Sequence, residues 1–307
     1  MNRSAVETAA EWLKRSEPVA IPTETVYGLA GNALDEKAVA KIFAIKNRPL
    51  FDPLIVHGAS AEALAPYVNE WPKPALLLAE RFWPGPLTLL LPRTSLVPDI
   101  VTSGLRSVAV RVPAHPLALE LLSRVDFPLA APSANPFGYV SPTRPEHVAA
   151  QLGDKIAFIL DGGPCAVGIE STIVGFPNDI PTVFRLGGLS IEVIEDTIGK
   201  VDVATNTRRT PGSLGAHYAP TKKLLLGNPE QLLKAHPRAA VLAFTNEYPA
   251  PYLRVLSPTG NLTEAAANFF GFLRELDQTP AEIIVAETLP EVGLGRAIND
   301  RLRRAQL

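Results

Sequence analysis

The stretch FAIKNRPLFDPLIVH, residues 43–57, places Lys46, Arg48, Asp52 and His57 in an otherwise apolar seam between a helix-like and a strand-like segment. Lys46 and Arg48 could complement the dipole at a helix C-terminus. They could equally clamp an anion, since a guanidinium holds two phosphate oxygens and an ammonium acts as a mobile point charge. Upstream, IPTETVYGLAG offers Thr23, Glu24, Thr25 and Tyr27 as hydrogen-bonding groups, and Gly28 and Gly31 let backbone approach a ligand closely. The alternative is a turn whose threonines satisfy their own backbone. In APSAN, Ser133 and Asn135 either form a local turn or supply neutral hydrogen bonds to a nucleotide. Arg111 in VAVRVP and Arg185 in VFRLG sit between apolar neighbours. A buried guanidinium needs a partner, which a substrate carboxylate or a structural Asp or Glu could supply. GIESTIV sets Glu170, Ser171 and Thr172 at a strand entrance.

The five histidines separate by context. His57 ends a strand beside Gly58 and is the best placed for a site, as a candidate general base. His115 reads as a helix start, His147 as helix surface and His236 as solvent-exposed. His217 belongs to HYAP, a segment that could fold down as a lid with Tyr218.

Several chemistries are excluded. There is no G-x-x-x-x-G-K-[ST] loop, no G-x-S-x-G elbow and no H-E-x-x-H; GLGRAI, at 293–298, lacks the third glycine of a dinucleotide fingerprint. Cys165 is the only cysteine, so an internal disulfide and a CxxC metal site are out. Chemistry must come from oxygen and nitrogen groups, with any metal carried in by a substrate. A net charge of -2 in 307 residues argues against a bulk nucleic-acid binder while leaving room for a local basic groove. The absence of a long apolar run or a charged-then-apolar leader predicts a soluble, cytoplasmic chain that does not enter a membrane.

The elements that must position these groups follow from periodicity. SAVETAAEWLKR predicts a helix with Ser4 and Glu7 as a capping box. DEKAVAKIFAIK predicts a second, burying Ala38, Val39, Ile42 and Phe43, and TRPEHVAAQL another with Thr143 and Glu146 as its capping box. VAIP, PLIVHG, PLTLLLP, SVAVRVP, PLAA, IAFILDGG, STIVGF and TVFRLG read as strands. Thirty prolines, spread along the chain, punctuate their ends. The pattern predicts an α/β domain on a twisted, open, mixed sheet over residues 1–202. Residues 203–222 read as a linker, and 223–307 as a smaller α/β, Rossmann-like domain.

Taken together, PTETVYGL, KNRP followed by PLIVH, WPGPLT, VAVRVP, APSAN, ESTIV, RLG and PGSLGAHYAP resemble the Sua5/YrdC family in its long, two-domain Sua5 form. The resemblance implies an L-threonylcarbamoyladenylate synthase, a nucleotidyltransferase. It would join L-threonine, bicarbonate and ATP, with Mg2+ arriving on ATP, and release pyrophosphate. Its product would serve the tRNA threonylcarbamoyl-transfer machinery for t6A modification. Carried over residue by residue, it makes Lys46, Arg48, Ser133 and Asn135 the catalytic set, which also binds ATP with Ser141, Arg185 and Tyr218. Thr25, Tyr27, His57, Arg111 and Ser171 form the threonine pocket, and no side-chain metal ligands are expected. It also implies a monomer with at most weak RNA contact. Some long members carry Lys and Arg in the linker motif where this chain has Leu214 and Ala216. Rival readings are a carbamoyl-phosphate-dependent carbamoyltransferase and a non-enzymatic RNA-binding translation factor.

The clamp reading predicts that Lys46→Ala or Arg48→Ala abolishes product formation and leaves the fold intact. Full activity in either variant removes the clamp from the mechanism.

Overall fold

The computed structural model describes residues 4–204 and 217–306. Leu214, Ala216 and most of the expected linker lie outside the described residues. The strands are β1 (Val19–Ile21), β2 (Gly28–Asn32), β3 (Ile55–His57), β4 (Leu87–Pro92), β5 (Ser107–Arg111), β6 (Leu129–Ala130), β7 (Phe158–Ile159), β8 (Thr172–Gly175), β9 (Thr182–Arg185) and β10 (Asp202–Val203). These ten form one mixed sheet in the order β10-β9-β8-β4-β5-β3-β6-β2-β1-β7. Then come β11 (Lys223–Leu226), β12 (Ala240–Ala243), β13 (Tyr252–Val255) and β14 (Ile283–Ala286). They form an all-parallel sheet in the order β11-β14-β12-β13. The expected α/β architecture, a mixed sheet followed by a smaller parallel one, is what the chain adopts.

Local signals account for the first two helices. Helix Ala5–Lys14 starts at a complete Ser4–Glu7 capping box and buries Val6, Ala9, Ala10 and Leu13. Helix Glu36–Lys46 is capped by Asp35 and buries the four predicted apolar residues together with Lys46. It stops at Asn47, whose left-handed backbone (φ 51) turns the chain toward Arg48. The helix at Pro145–Leu152 departs from expectation. Its N-cap is Arg144 and no capping box forms, because the Thr143 amide instead donates to His147 Nδ1. His147 is therefore half-buried, with its pKa pushed down to about 4 by burial, then by Arg274 and Arg144. The glycine-rich PTETVYGLAG segment also hides a strand: β2 pairs antiparallel with both β1 and β6.

Two large cores result. One fills the mixed-sheet domain, from Leu29 and Ile42 to Leu89 and Val110. The other joins the two domains, because Val26, Val140, Ile169 and Tyr218 pack with Phe269, Phe270 and Ile298 of the smaller domain. Polar bonds reinforce that seam. On helix Leu262–Asp277, the Asp277 carboxylate accepts from Tyr139 Oη (2.6 Å), Thr221 Oγ1 (2.8 Å) and the amides of Thr221 and Lys222. Burial alone would raise its pKa, and these donors hold it below the usual value. Arg274 donates from Nε to Ser141 O and from Nη2 to Gln151 Oε1.

At Gly187, in the RLG motif, a Cβ would lie 2.3 Å from Glu170 O and 2.5 Å from Thr172 N. Only a bare backbone fits there, against the entrance of β8. Gly187→Ala is expected to cost about 1–3 kcal/mol of stability by displacing that backbone. Denaturant unfolding measures it, and an unchanged midpoint contradicts the close approach.

Candidate active site

Strand ends of the mixed sheet bring the chemistry to one cavity. β3 delivers His57 and β5 delivers Arg111, in register with each other. The turn before β2 brings Thr23 and Thr25, the chain after β6 brings Ser133, and the entrance of β8 brings Glu170 and Ser171. Arg48 follows the second helix, Arg185 ends β9, and His217 and Tyr218 close over the top. The enclosed space is about 50 Å³.

The cavity wall is unusually charged. Arg48 pairs with Asp52 at 2.9 Å and donates to the carbonyls of Asp52 and Pro53. Arg111 pairs with Glu24 at 2.6 Å and reaches Gly85 O at 3.2 Å. Arg185 donates to Ser171 O and, at 3.0 Å, to Ser171 Oγ. Arg301, from the last helix Gly293–Ala305, pairs with Glu170 at 3.0 Å. Lys46 Nζ donates to the carbonyls of Ser133 and Asn135. All five cations are buried, against three buried carboxylates, Glu24, Asp52 and Glu170. Burial and Arg48 push the Lys46 pKa well below its usual value, against the pull of Asp52. Burial also depresses His217, followed by Arg304, Arg48, Lys46 and Arg185. The imidazole thus feels a positive field from four sides, and an arriving anion would relieve it.

Eight of the twelve residues expected at the site line this cavity: Thr25, Arg48, His57, Arg111, Ser133, Ser171, Arg185 and Tyr218. Three stand one layer behind it. Lys46 is occupied by the two carbonyls above. Asn135 Nδ2 donates to the carbonyls of Pro136 and Tyr139, and Ser141 Oγ donates to Glu170 Oε1 at 2.5 Å. Tyr27 does not line the cavity; its hydroxyl donates to Gly163 O (2.8 Å) and accepts from Gly162 N (3.0 Å). His57 lines the cavity; burial, then Arg111, pushes its pKa down to about 3, which weakens it as a proton acceptor at neutral pH.

Other participants were not assigned from sequence. Asp52, one turn beyond Arg48, is that arginine's counter-ion. Its i, i+4 spacing was the available signal. Glu24 answers the question of Arg111's partner with a structural carboxylate. Arg301 and Arg304, on the last helix, each place a guanidinium over Tyr218, at 5.4 and 5.3 Å from the ring centre. Among the described residues, no three His, Cys, Asp or Glu groups converge to hold a metal ion, and no helix is long and apolar enough to cross a membrane.

The chain is similar to known proteins over nearly its whole length. Residues 11–187 match a Sua5–YciO–YrdC family model, described as telomere recombination. Residues 189–306 match a second, described as threonylcarbamoyl-AMP synthase, C-terminal domain. The threonylcarbamoyl-AMP synthase of Pyrococcus abyssi is 41% identical, with 98% of this chain and 93% of that one covered. That of Bacillus subtilis is 41% identical, covering 99% and 93%. The crystal structure of P. abyssi Sua5 complexed with L-threonine superposes with a TM-score of 0.92 at 40% identity, over 98% of this chain and 94% of that one.

The buried pairs modify the expectation for the clamp variants. Arg48→Ala strands Asp52 and is expected to cost about 3–5 kcal/mol of stability as well as activity. Adding Asp52→Ala should recover part of the stability and none of the activity, read by denaturant midpoint and product assay. His57 gives a pH dependence. Its folded pKa is depressed, so its contribution is fully present above about 6.5 and is lost as pH falls toward 3. At about 1.4 kcal/mol per unit, wild-type stability should fall between pH 7 and 5, with His217 adding the same sign. His57→Gln should flatten that slope; an unchanged slope contradicts the assignment.

Proposed function

The chain belongs to the Sua5–YciO–YrdC family, and from that premise we propose that it makes threonylcarbamoyl-AMP and pyrophosphate from L-threonine, bicarbonate and ATP. The observation that carries the reading is the surplus of buried cations around a cavity that also presents threonine hydroxyls. Buried charge is costly to desolvate, and a wall with five buried cations to three buried carboxylates suits a polyanion.

The reaction needs positioning and charge neutralisation more than a covalent nucleophile. The threonine amine takes up bicarbonate or CO2 to form a carbamate. A carbamate oxygen then bonds to the α-phosphorus of ATP as the bond to the bridging oxygen breaks, and pyrophosphate leaves. The enzyme is a transferase, and in this reading a nucleotidyltransferase. Arg48 and Arg185 face the cavity and meet the phosphates. Lys46 exchanges carbonyl acceptors for phosphate oxygens, which favour its charged form. Mg2+ comes in on the triphosphate, since the carboxylates at the wall are already held by arginines. Arg111 has five N–H groups. Glu24 and Gly85 occupy two directions, and those left receive the threonine carboxylate. Thr25 Oγ1, hydrogen-bonded to Thr23 Oγ1 at 2.8 Å, stands by to hold the amine or hydroxyl. Ser171 fixes Arg185 and also bonds Thr88 Oγ1 at 2.7 Å.

The free space of about 50 Å³ is far below the roughly 300 Å³ or more of a typical ligand pocket. Room for ATP therefore needs the wall to open, and in this reading His217 and Tyr218 are the lining pair that withdraws. Their return expels water, which protects a labile carbamate until it is adenylated. The product then supplies t6A modification of tRNA.

Incubating the protein with ATP, threonine and bicarbonate, and omitting each in turn, tests this. Pyrophosphate is expected only when all three are present. Release without threonine, or turnover of carbamoyl phosphate in its place, redirects the assignment to carbamoyl transfer. Salt-sensitive RNA binding with no turnover redirects it to an RNA-binding factor.

A further inference from the structure

Arg301 is a fully buried side chain that crosses from the smaller domain into the wall of the active site. Its Nε donates to Glu170 Oε2 at 3.0 Å and its Nη1 to Leu186 O at 2.7 Å. Its Nη2 is buried without a hydrogen-bond partner. Glu170 lines the cavity, and its other oxygen accepts from Ser141 Oγ at 2.5 Å. On its other side Arg301 lies over Tyr218, while the Arg304 carbonyl accepts from the His217 amide at 3.2 Å. One helix of the smaller domain thus holds both a cavity carboxylate and the covering His217–Tyr218 pair.

We propose that Arg301 is a positioning residue for the nucleotide: it neutralises Glu170, so that the cavity stays positive toward a triphosphate. This deepens the proposed synthase reading and rests on it. It gives the smaller domain a task in the reaction, as the source of the guanidinium bonded to Glu170. Without Arg301, Glu170 keeps Ser141 and the field of Arg185 but loses its ion pair, and its charge turns against the phosphates. Threonine, a zwitterion seated on Arg111, feels that charge much less. Both protonation states support the pairing. Burial opposes each charge, yet Glu170 is held below its usual pKa mainly by Arg301, and Arg301 is held above its own mainly by Glu170.

The test uses the full chain and compares Arg301→Met, Arg301→Lys and the double variant Arg301→Met with Glu170→Gln. Steady-state pyrophosphate release gives the KM for ATP and for threonine, and thermal melting reports the fold. For Arg301→Met, the KM for ATP is expected to rise at least tenfold and that for threonine less than threefold. The double variant, which leaves no stranded charge, should return the KM for ATP to within threefold of wild type. Arg301→Lys keeps the charge and should fall between wild type and Arg301→Met. The proposal is overturned if the two KM values rise together, or if the double variant folds and is no better than Arg301→Met. If Arg301→Met does not fold, the double variant and Arg301→Lys decide by the same criteria: a tenfold loss for ATP in the double variant sinks the idea. A wild-type protein that releases no threonine-dependent pyrophosphate would instead fail the synthase reading itself, and is seen before any variant is made.

Discussion

Everything in this protein answers to one electrostatic constraint: among the described residues, five buried cations gather around three buried carboxylates at one site. Arg48, Arg111 and Arg301 each have a carboxylate within 3.0 Å, while Lys46 is held on backbone carbonyls and Arg185 on Ser171. Desolvating so many charges is expensive. The fold bears that cost by wrapping each cation in fixed acceptors supplied by strand ends and tight turns. The same fixed acceptors preorganise the site, because the groups that meet phosphate are in place before it arrives.

That constraint explains why the domains are not independent. The mixed-sheet domain carries Glu170, and the smaller domain carries the guanidinium that pairs with it. Asp277 bonds Tyr139 and Arg274 bonds Ser141, so the smaller domain pins the segment that carries Ser141, one of the expected nucleotide residues. Tyr218 belongs to the apolar core that joins the domains while also lining the cavity. Its backbone is left-handed at φ 65, a costly conformation for a bulky residue, held there by contacts from both domains. A covering residue kept in a strained pose by two arginine faces is suited to moving when those contacts change.

Local patterns carried much of the fold. The capping box at Ser4 and the apolar face of helix Glu36–Lys46 are local physics, and the structure follows them. β2 was hidden because GLAGN has no alternation and is rich in glycine; its pairing with β1 and β6 is a long-range choice. Thr143 failed as a cap because a histidine four residues on took its amide. In the site, residue type and spacing were enough to single out Lys46, Arg48, Ser133, Arg111 and Arg185 as chemistry in need of a partner. They were not enough to say which partner.

The sequence by itself determined much of the inventory: most of the strands, which cations sit among apolar neighbours, and that a single cysteine leaves no cysteine pair. Only the tertiary structure decided the pairings. Glu24 and Arg111 lie 87 residues apart, and Glu170 and Arg301 lie 131 apart. Tyr27 gave its hydroxyl to Gly162 and Gly163, which offered it both a donor and an acceptor. His57 is a weaker base because it is buried and beside Arg111. The physical reason is common to all of these. A residue's type sets what it can bond, whereas burial and the charge of its spatial neighbours set its protonation and its orientation. Those neighbours are brought together only when the chain folds.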